Sequence, residues 1–259
     1  MEPVQSRPYG AGLGDGANSV LGKARLILEA FQLDDVDLSL TELSRRTGVS
    51  KASVHRLAQE LLAWGMLERS GTDYRLGMRA FELGSRVPRF RVLRDAVRPF
   101  MESLHYATKE VIHLGVLDGL DVLYLEKLAG GPQSAKPSRI AGRMPLYPTA
   151  TGKVLLAFSP QTLLEEVLAR PLDRLTPSTV ALPGVLSEQV RKVSRCGHAI
   201  ELEEVAIGYC SVAVPLFGTS GLLLGALSIT APTFRADTAK YVGLLTGVSR
   251  KVTASRQIN

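Results

Sequence analysis

The sequence predicts a mixed α/β chain, an N-terminal winged helix-turn-helix followed by an α+β domain whose sheet is largely antiparallel. Three observations predict it. Two short helical patterns, each with its own capping residue, are joined by a tight turn containing Gly48. An alternating stretch with a Ser-Gly turn, "MLERSGTDYRL", follows them directly. Beyond Val111, hairpin signals and helical periods come in blocks rather than in strict alternation.

A chain of 259 residues at 45% hydrophobic content is long enough for two ordinary domains with a sizeable core. It contains no run of about eighteen apolar residues, so a membrane span is not expected. The opening stretch, "MEPVQSRPYGAGLGDGANS", has no apolar core of a secretory signal and reads as a flexible tail over 1–17. Two cysteines, Cys196 and Cys210, make no disulfide framework and fit a reducing cytoplasm. The net charge of +6 divides evenly about Arg94, +3 on either side, so basicity alone does not identify a polyanionic partner.

Residues 19–31, "SVLGKARLILEAF", supply an amphipathic first helix. In "LSLTEL", Ser39 and Glu42 have capping-box spacing, with Leu38 and Leu43 placed as a hydrophobic staple, so a short helix is expected over 41–47. Gly48 is suited to the left-handed position that ends it. The same design repeats at once: Val49, Ser50 as N-cap and Val54 open a helix over 51–64 that stops at Gly65. Its apolar positions Val54, Leu57, Ala58, Leu61 and Leu62 keep the helical period, which leaves a small, polar first turn facing outward. A helix that only packs has no need of such a turn, whereas one that enters a major groove about 12 Å wide does. Ser50, Lys51, Ser53, His55 and Arg56 are therefore the leading candidates for DNA contact. Arg45, Arg46 and the hairpin tip at Gly71 are secondary ones, mostly to phosphate.

Residues 77–108 are helix-forming and Arg-rich, with Pro88 an expected interruption, and read as linker helices. "VIHLGVLDGLDVLYLEKL" is two strands about Asp118 and Gly119. Helices are expected at 150–158, 162–169 and 187–196, strands at 198–201, 211–217 and 222–230, and a last helix at 236–255.

The order "SVLGKARLILEAF … LSLTELSRRTGVSKASVHRLAQELLAWGMLER … YRLGMRAFELG" resembles the N-terminal domain of the isocitrate-lyase-regulator (IclR) family of bacterial transcription factors. "RMPLYPTATGKVLLAF" and "IELEEVAIGYCSVAVPLFGTSGLLLGALSITAP" are similar to segments of that family's effector domain, so the resemblance spans nearly the whole chain after the tail. It implies a GAF/PAS-like sheet that holds a small molecule, and domains at 18–78 (winged helix), 79–98 (linker helix) and 99–259 (effector binding). It also implies dimers or dimers of dimers; a homo-oligomer is expected independently because one winged helix touches little DNA.

No catalytic constellation emerges. "TATGKVL" is not a phosphate loop, since Tyr147 and Val154 stand where Gly and Ser or Thr are required. Cys210 has no identifiable partner His, Cys196 with His198 is too sparse for a metal site, and His105 and His113 stand alone. "GTSG" lacks the Gly of a nucleophile elbow. The expectation is a non-enzyme with no cofactor and no metal. What remains is a polar set on apolar strands. Ser228 and Thr230, two apart, share one face, and their hydroxyls need either a bound organic acid or a neighbouring carbonyl.

The family resemblance assigns an acidic residue, a cysteine and a serine pair to the effector pocket. Here these fall on Glu201, Ser211, Ser228 and Thr230, with Ala150 and Thr151 at the helix start that would receive a carboxylate. Three positions depart from the pattern. Glu201 stands for Asp, Ser211 for Cys with Cys210 shifted one place, and Thr230 for Ser. The expected function is ligand-responsive regulation at double-stranded operator DNA, with a small organic or aromatic acid as effector. The alternatives are a sensor whose winged helix docks protein, and an enzyme using Cys210.

Overall fold

The structure is a computed structural model that describes residues 18–32, 35–130, 140 and 142–254. The expected tail at 1–17 and the end of the last helix at Ser255 lie outside these residues. The chain divides into two compact units between Pro88 and Arg89.

The first unit holds α1 (Val20–Glu29), α2 (Leu40–Thr47), α3 (Lys51–Trp64), β1 (Leu67–Ser70), β2 (Asp73–Leu76) and α4 (Met78–Ser85). Each of the first three helices starts on a serine whose side chain accepts a backbone N–H: Ser19 from Gly22, Ser39 from Glu42 and Ser50 from Ser53. Gly48 and Gly65 close α2 and α3 in the left-handed conformation, at φ 68° and 79°. Val54, Leu57, Ala58 and Leu61 of α3 are buried against Ile27 of α1 and Leu43 of α2; at about 1.5–3 kcal/mol for each large side chain, this face fixes the three-helix core. β1 and β2 form a hairpin with Gly71 at φ 60°, first of its two loop residues, which suits a type II′ turn. Leu38 adds a third, one-residue rung by exchanging backbone hydrogen bonds with Tyr74 at 2.8 and 2.9 Å.

The capping box forms only half. Ser39 takes the Glu42 N–H, but the Glu42 carboxylate turns to Arg45 and Arg46, because two guanidiniums on the next turn outcompete one backbone amide.

The second unit is built on α5 (Pro88–Thr108), β3 (Val111–Asp118), β4 (Asp121–Leu128), β5 (Arg143–Pro145), α6 (Ala150–Ala157), α7 (Gln161–Leu168), α8 (Pro183–Cys196), β6 (Ala199–Leu202), β7 (Tyr209–Phe217), β8 (Leu223–Pro232) and α9 (Thr238–Ala254). The segment read as linker therefore comprises α4, in the first unit, and the first half of α5, whose Leu93 and Val97 belong to the second unit's core. Pro88 opens α5, a position where a missing N–H costs nothing. Among the described residues the sheet has six strands in the order β5-β4-β3-β8-β7-β6, every pair antiparallel. Alternation sorts its two faces. Ile112, Leu114, Val212, Val214 and Ile229 pack with Met101 of α5 and Tyr241 and Leu245 of α9. Tyr124, Ala213 and Ala226 pack on the other side with α6, α7 and α8.

Two elements differ from expectation. β5 is a three-residue edge strand ending in proline, too short to carry a pattern of its own; only its pairing to β4 makes it a strand. α8 begins four residues early, at Pro183, because proline fits the first helical position that it would disrupt further in.

Candidate functional sites

The first turn of α3 is turned outward. Ser50, Lys51, Ala52, His55 and Arg56 are exposed and Ser53 is half-buried. The two hydroxyls are already engaged with each other, Ser50 Oγ lying 3.1 Å from Ser53 Oγ. Arg56 is 60% exposed and pairs with Glu60, one turn on, at 2.7 Å. Arg45 is 70% exposed and bonds Glu42 through two guanidinium nitrogens at 2.7 and 2.8 Å. Those bonds, with Arg46's, hold the Glu42 carboxyl down at about 2. Gly71 is exposed at the hairpin tip.

Arg46 departs from the rest. It is 23% exposed, pairs with both Asp35 and Glu42, and donates to the Ala30 carbonyl at 3.0 Å. These bonds tie α2 to the connection from α1, and they leave the side chain as a brace rather than a surface contact. Arg69, by contrast, carries no local signal in the sequence. It sits on the exposed face of β1, its guanidinium 4.3 Å over the Tyr74 ring and its N–H donated to Thr72 O at the hairpin loop.

The second unit encloses a cavity of about 60 Å³ between the sheet and the start of α6. Ala150, Thr151, Glu201, Ser211, Ser228 and Thr230 all line it. Sheet register explains their convergence: Glu201 stands opposite Ser211 across β6 and β7, and Ser211 opposite Thr230 across β7 and β8. Ser211 and Thr230 share a hydrogen bond of 2.9 Å, and the Thr151 hydroxyl donates to Ser228 at 3.2 Å. α6 can lie this close to the sheet because Gly152 has no side chain; a Cβ there would stand 2.1 Å from the Leu146 carbonyl oxygen. Thr149 caps α6 by accepting the Gly152 N–H, so the amides of Ala150 and Thr151 take no part in the helix's own bonding.

Glu201 is 2% exposed. One carboxyl oxygen accepts the Glu204 and Val205 N–H groups at 2.6 and 3.2 Å, yet burial outweighs these bonds and pushes the carboxyl up to about 7. Lys153, 1% exposed on α6, is neutralised by Glu204. Cys210, one residue from Ser211, lies on the opposite strand face as alternation requires, and burial lifts its thiol to about 11.

The cavity also takes in residues that no sequence signal singled out. His113 and Tyr124 pack with ring centres 5.0 Å apart and planes tilted by 45°; burial drops the imidazole to about 3, keeping it neutral, and raises the phenol to about 12. Thr149, Met144, Val205 and Tyr209 complete much of the wall. The lining is thus mostly hydroxyls and apolar groups with no cationic side chain, so a carboxylate there would rest on amide and hydroxyl donors. Among the described residues no group of three or more potential ligands could hold a metal, and no helix is long and apolar enough to cross a membrane. Cys196 and His198 instead bond each other's backbone carbonyls.

Comparison with known proteins gives matches over both units. The family model described as the IclR helix-turn-helix domain matches residues 20–71, and that of the bacterial transcriptional regulator IclR C-terminal matches residues 89–255. The HTH-type transcriptional regulator KdgR of Escherichia coli (strain K12) is 36% identical over 250 residues, 93% of either chain. XynR of the same organism is 32% identical over 221 residues, 84% of this chain and 88% of that one. A crystal structure of an IclR homologue from Microbacterium hydrocarbonoxydans, complexed with 4-hydroxybenzoate, has a TM-score of 0.87 at 29% identity, covering 93% of this chain and 100% of the other.

Proposed function

The chain belongs to the IclR family of bacterial transcriptional regulators, and on that premise we propose that α3 reads operator DNA while the cavity beneath α6 senses a small organic or aromatic acid. The observation that carries the sensing half is the convergence of Ala150, Thr151, Glu201, Ser211, Ser228 and Thr230 on one cavity. In this reading the effector's carboxylate meets the Ala150 and Thr151 amides, and the hydroxyls of Ser211, Ser228 and Thr230 orient the remainder. The homologue bound to 4-hydroxybenzoate supports an aromatic acid as one candidate. Glu at position 201 reaches about one methylene further than Asp and narrows the space.

On the DNA side, Ser50, Lys51, Ser53, His55 and Arg56 are the proposed contacts, with Arg45 and the Gly71 tip against phosphate. Arg46 is removed from that set by its internal bonds. A homodimer or tetramer would present paired winged helices to paired half-sites. Effector binding would then act by favouring one arrangement of the pair over another. The relatives are named HTH-type transcriptional regulators, which supports regulation rather than catalysis and speaks against a winged helix used only to dock protein; the proposed location is the cytoplasm.

The test has two parts. Thermal-shift measurements on the intact protein with small acids, 4-hydroxybenzoate among them, should give a saturable stabilisation that Ser228→Ala reduces at least severalfold. Binding to the DNA upstream of the gene should weaken steeply between 50 and 200 mM salt, roughly 10³-fold or more for six or more phosphate contacts. No stabilisation by any acid, or salt-independent DNA binding, would defeat the respective half.

A further inference from the structure

Residues 203–208, the strap between β6 and β7, bring Val205 and Ala206 to the wall of the cavity beneath α6. The strap is bonded in three directions. Glu201 accepts its Glu204 and Val205 amides at 2.6 and 3.2 Å. Thr176 and Thr179, both buried on the connection between α7 and α8, donate to the Glu203 and Glu204 carbonyls at 2.6 and 2.7 Å. The Glu204 carboxylate takes the Lys153 ammonium of α6 on one oxygen and the Val180 N–H on the other, the latter at 3.2 Å. The same connection reaches the entry to α6, where the Tyr147 hydroxyl donates to the Asp173 carbonyl at 2.5 Å. Strap and α6, two walls of one cavity, are thus joined through a single connected set of bonds.

At the centre of that set lies an ion pair that stability alone does not call for. Lys153 is 1% exposed and Glu204 5%. Both charges lose their hydration, and a well-packed apolar pair in their place is often as stable. The next residues of α6, Val154, Leu155 and Leu156, are buried and apolar, so packing gives no reason for an ammonium at position 153. What the ion pair adds over a methylene is a fixed partner. Lys153 lies less than one turn beyond Ala150, so its bond to Glu204 sets where the α6 amides stand relative to the strap. The strap also needs holding. Glu203 sits at φ 57°, a left-handed backbone that a residue other than glycine keeps only where its surroundings impose it.

We propose that Lys153 and Glu204 are positioning residues of the effector site, holding the strap against α6 so that both walls meet the acid in one geometry; this rests on the reading of that cavity as the sensor. A strap that drifts lowers the fraction of molecules competent to bind and weakens apparent affinity in proportion. Two single variants and their combination, in the intact protein, test it. Lys153→Met and Glu204→Gln each leave one buried charge alone and should lower the thermal midpoint. Lys153→Met/Glu204→Gln removes both charges, keeps an oxygen for the Val180 amide, and should return the midpoint to near that of the parent. Acid binding should not return with it. Glycolate or 4-hydroxybenzoate, whichever the parent binds, should bind the double variant about tenfold more weakly by isothermal titration below every midpoint. With no acid present, its Glu204 and Val205 amides should exchange with deuterium about tenfold faster than the parent's. A double variant that regains acid affinity along with its midpoint, or whose amides exchange at the parental rate, would show the pair to be structural only and overturn the proposal. So would a double variant as unstable as the singles, since the pair would then hold the fold rather than the site. A parent that binds neither acid would sink the sensing reading and this proposal with it, an outcome told apart from the others because it needs no variant.

Discussion

Glu201 and Ser211 face each other across β6 and β7, both on the cavity side of the sheet, and the carboxyl is held at about 7 by burial. Unfolded, the same group titrates near 4.5. Between those values the folded chain keeps a proton that the unfolded chain has lost, so stability falls as pH rises through that window and levels off above it. The cost of ionising Glu201 is on the order of 3 kcal/mol at pH 8. Glu201→Gln keeps an oxygen for the Glu204 and Val205 amides and removes the charge. The difference in Tm between variant and parent should therefore widen in the variant's favour by several degrees from pH 5 to pH 8. A difference that is flat with pH would mean Glu201 ionises as an ordinary carboxylate.

Thiol chemistry should separate the two cysteines. Cys196 is exposed, while Cys210 is buried with its thiol lifted to about 11, first by burial and then by the charges of Glu201 and Glu110. At pH 8 only about one Cys210 in a thousand is a thiolate. Titration with a disulfide reagent should show one fast thiol per native chain, lost in Cys196→Ser, with the second released only by denaturant. Rapid labelling of Cys210 would reopen the case for a reactive cysteine.

What the sequence disclosed was local. Ser39, Ser50, Gly48 and Gly65 mark helix ends through bonds that span three or four residues, so the helix-turn-helix could be read with nearly its final boundaries. The cavity was partly legible: Ser228 and Thr230 share a face by strand alternation alone, but their meeting with Glu201 and Ser211 came from resemblance to a family. His113, Tyr124 and Met144 were not legible, because they reach the cavity only through the order β5-β4-β3-β8, which no local pattern encodes. The inward bonds of Arg46 were not legible for the same reason. Its partner Asp35 lies eleven residues upstream, and nothing in "SRRTG" tells which arginine turns inward.

Two glycines should respond very differently to a methyl group. In Gly152→Ala the new Cβ would overlap the Leu146 carbonyl oxygen, a backbone atom that cannot swing aside, so α6 must lift off the sheet. A loss of about 3 kcal/mol or more is expected, together with loss of acid binding. Gly48→Ala meets nothing within 4 Å and suffers only the left-handed backbone at φ 68°, about 1–2 kcal/mol. Urea denaturation followed by circular dichroism would measure both. A mild Gly152→Ala would show that α6 is not seated as closely as the cavity requires.

Arg46 and Arg56 should divide stability from DNA binding. Arg46 is mostly covered and holds Asp35, Glu42 and the Ala30 carbonyl, so Arg46→Ala takes the guanidinium from Asp35 and the Ala30 carbonyl, leaves Glu42 to Arg45, and should cost about 2 kcal/mol. Arg56 is well exposed and its partner Glu60 equally so, which limits the stability effect of Arg56→Ala to about 0.5 kcal/mol. If Arg56 meets a phosphate, its loss should weaken DNA binding for every sequence alike and lower the salt slope by about 1. If it meets a base edge, affinity should fall mainly on the preferred site and the slope should hold. Thermal unfolding combined with fluorescence anisotropy at several salt concentrations distinguishes these outcomes. An Arg56→Ala protein that binds DNA like its parent would move the recognition surface away from the first turns of α3, towards Arg45 and the hairpin.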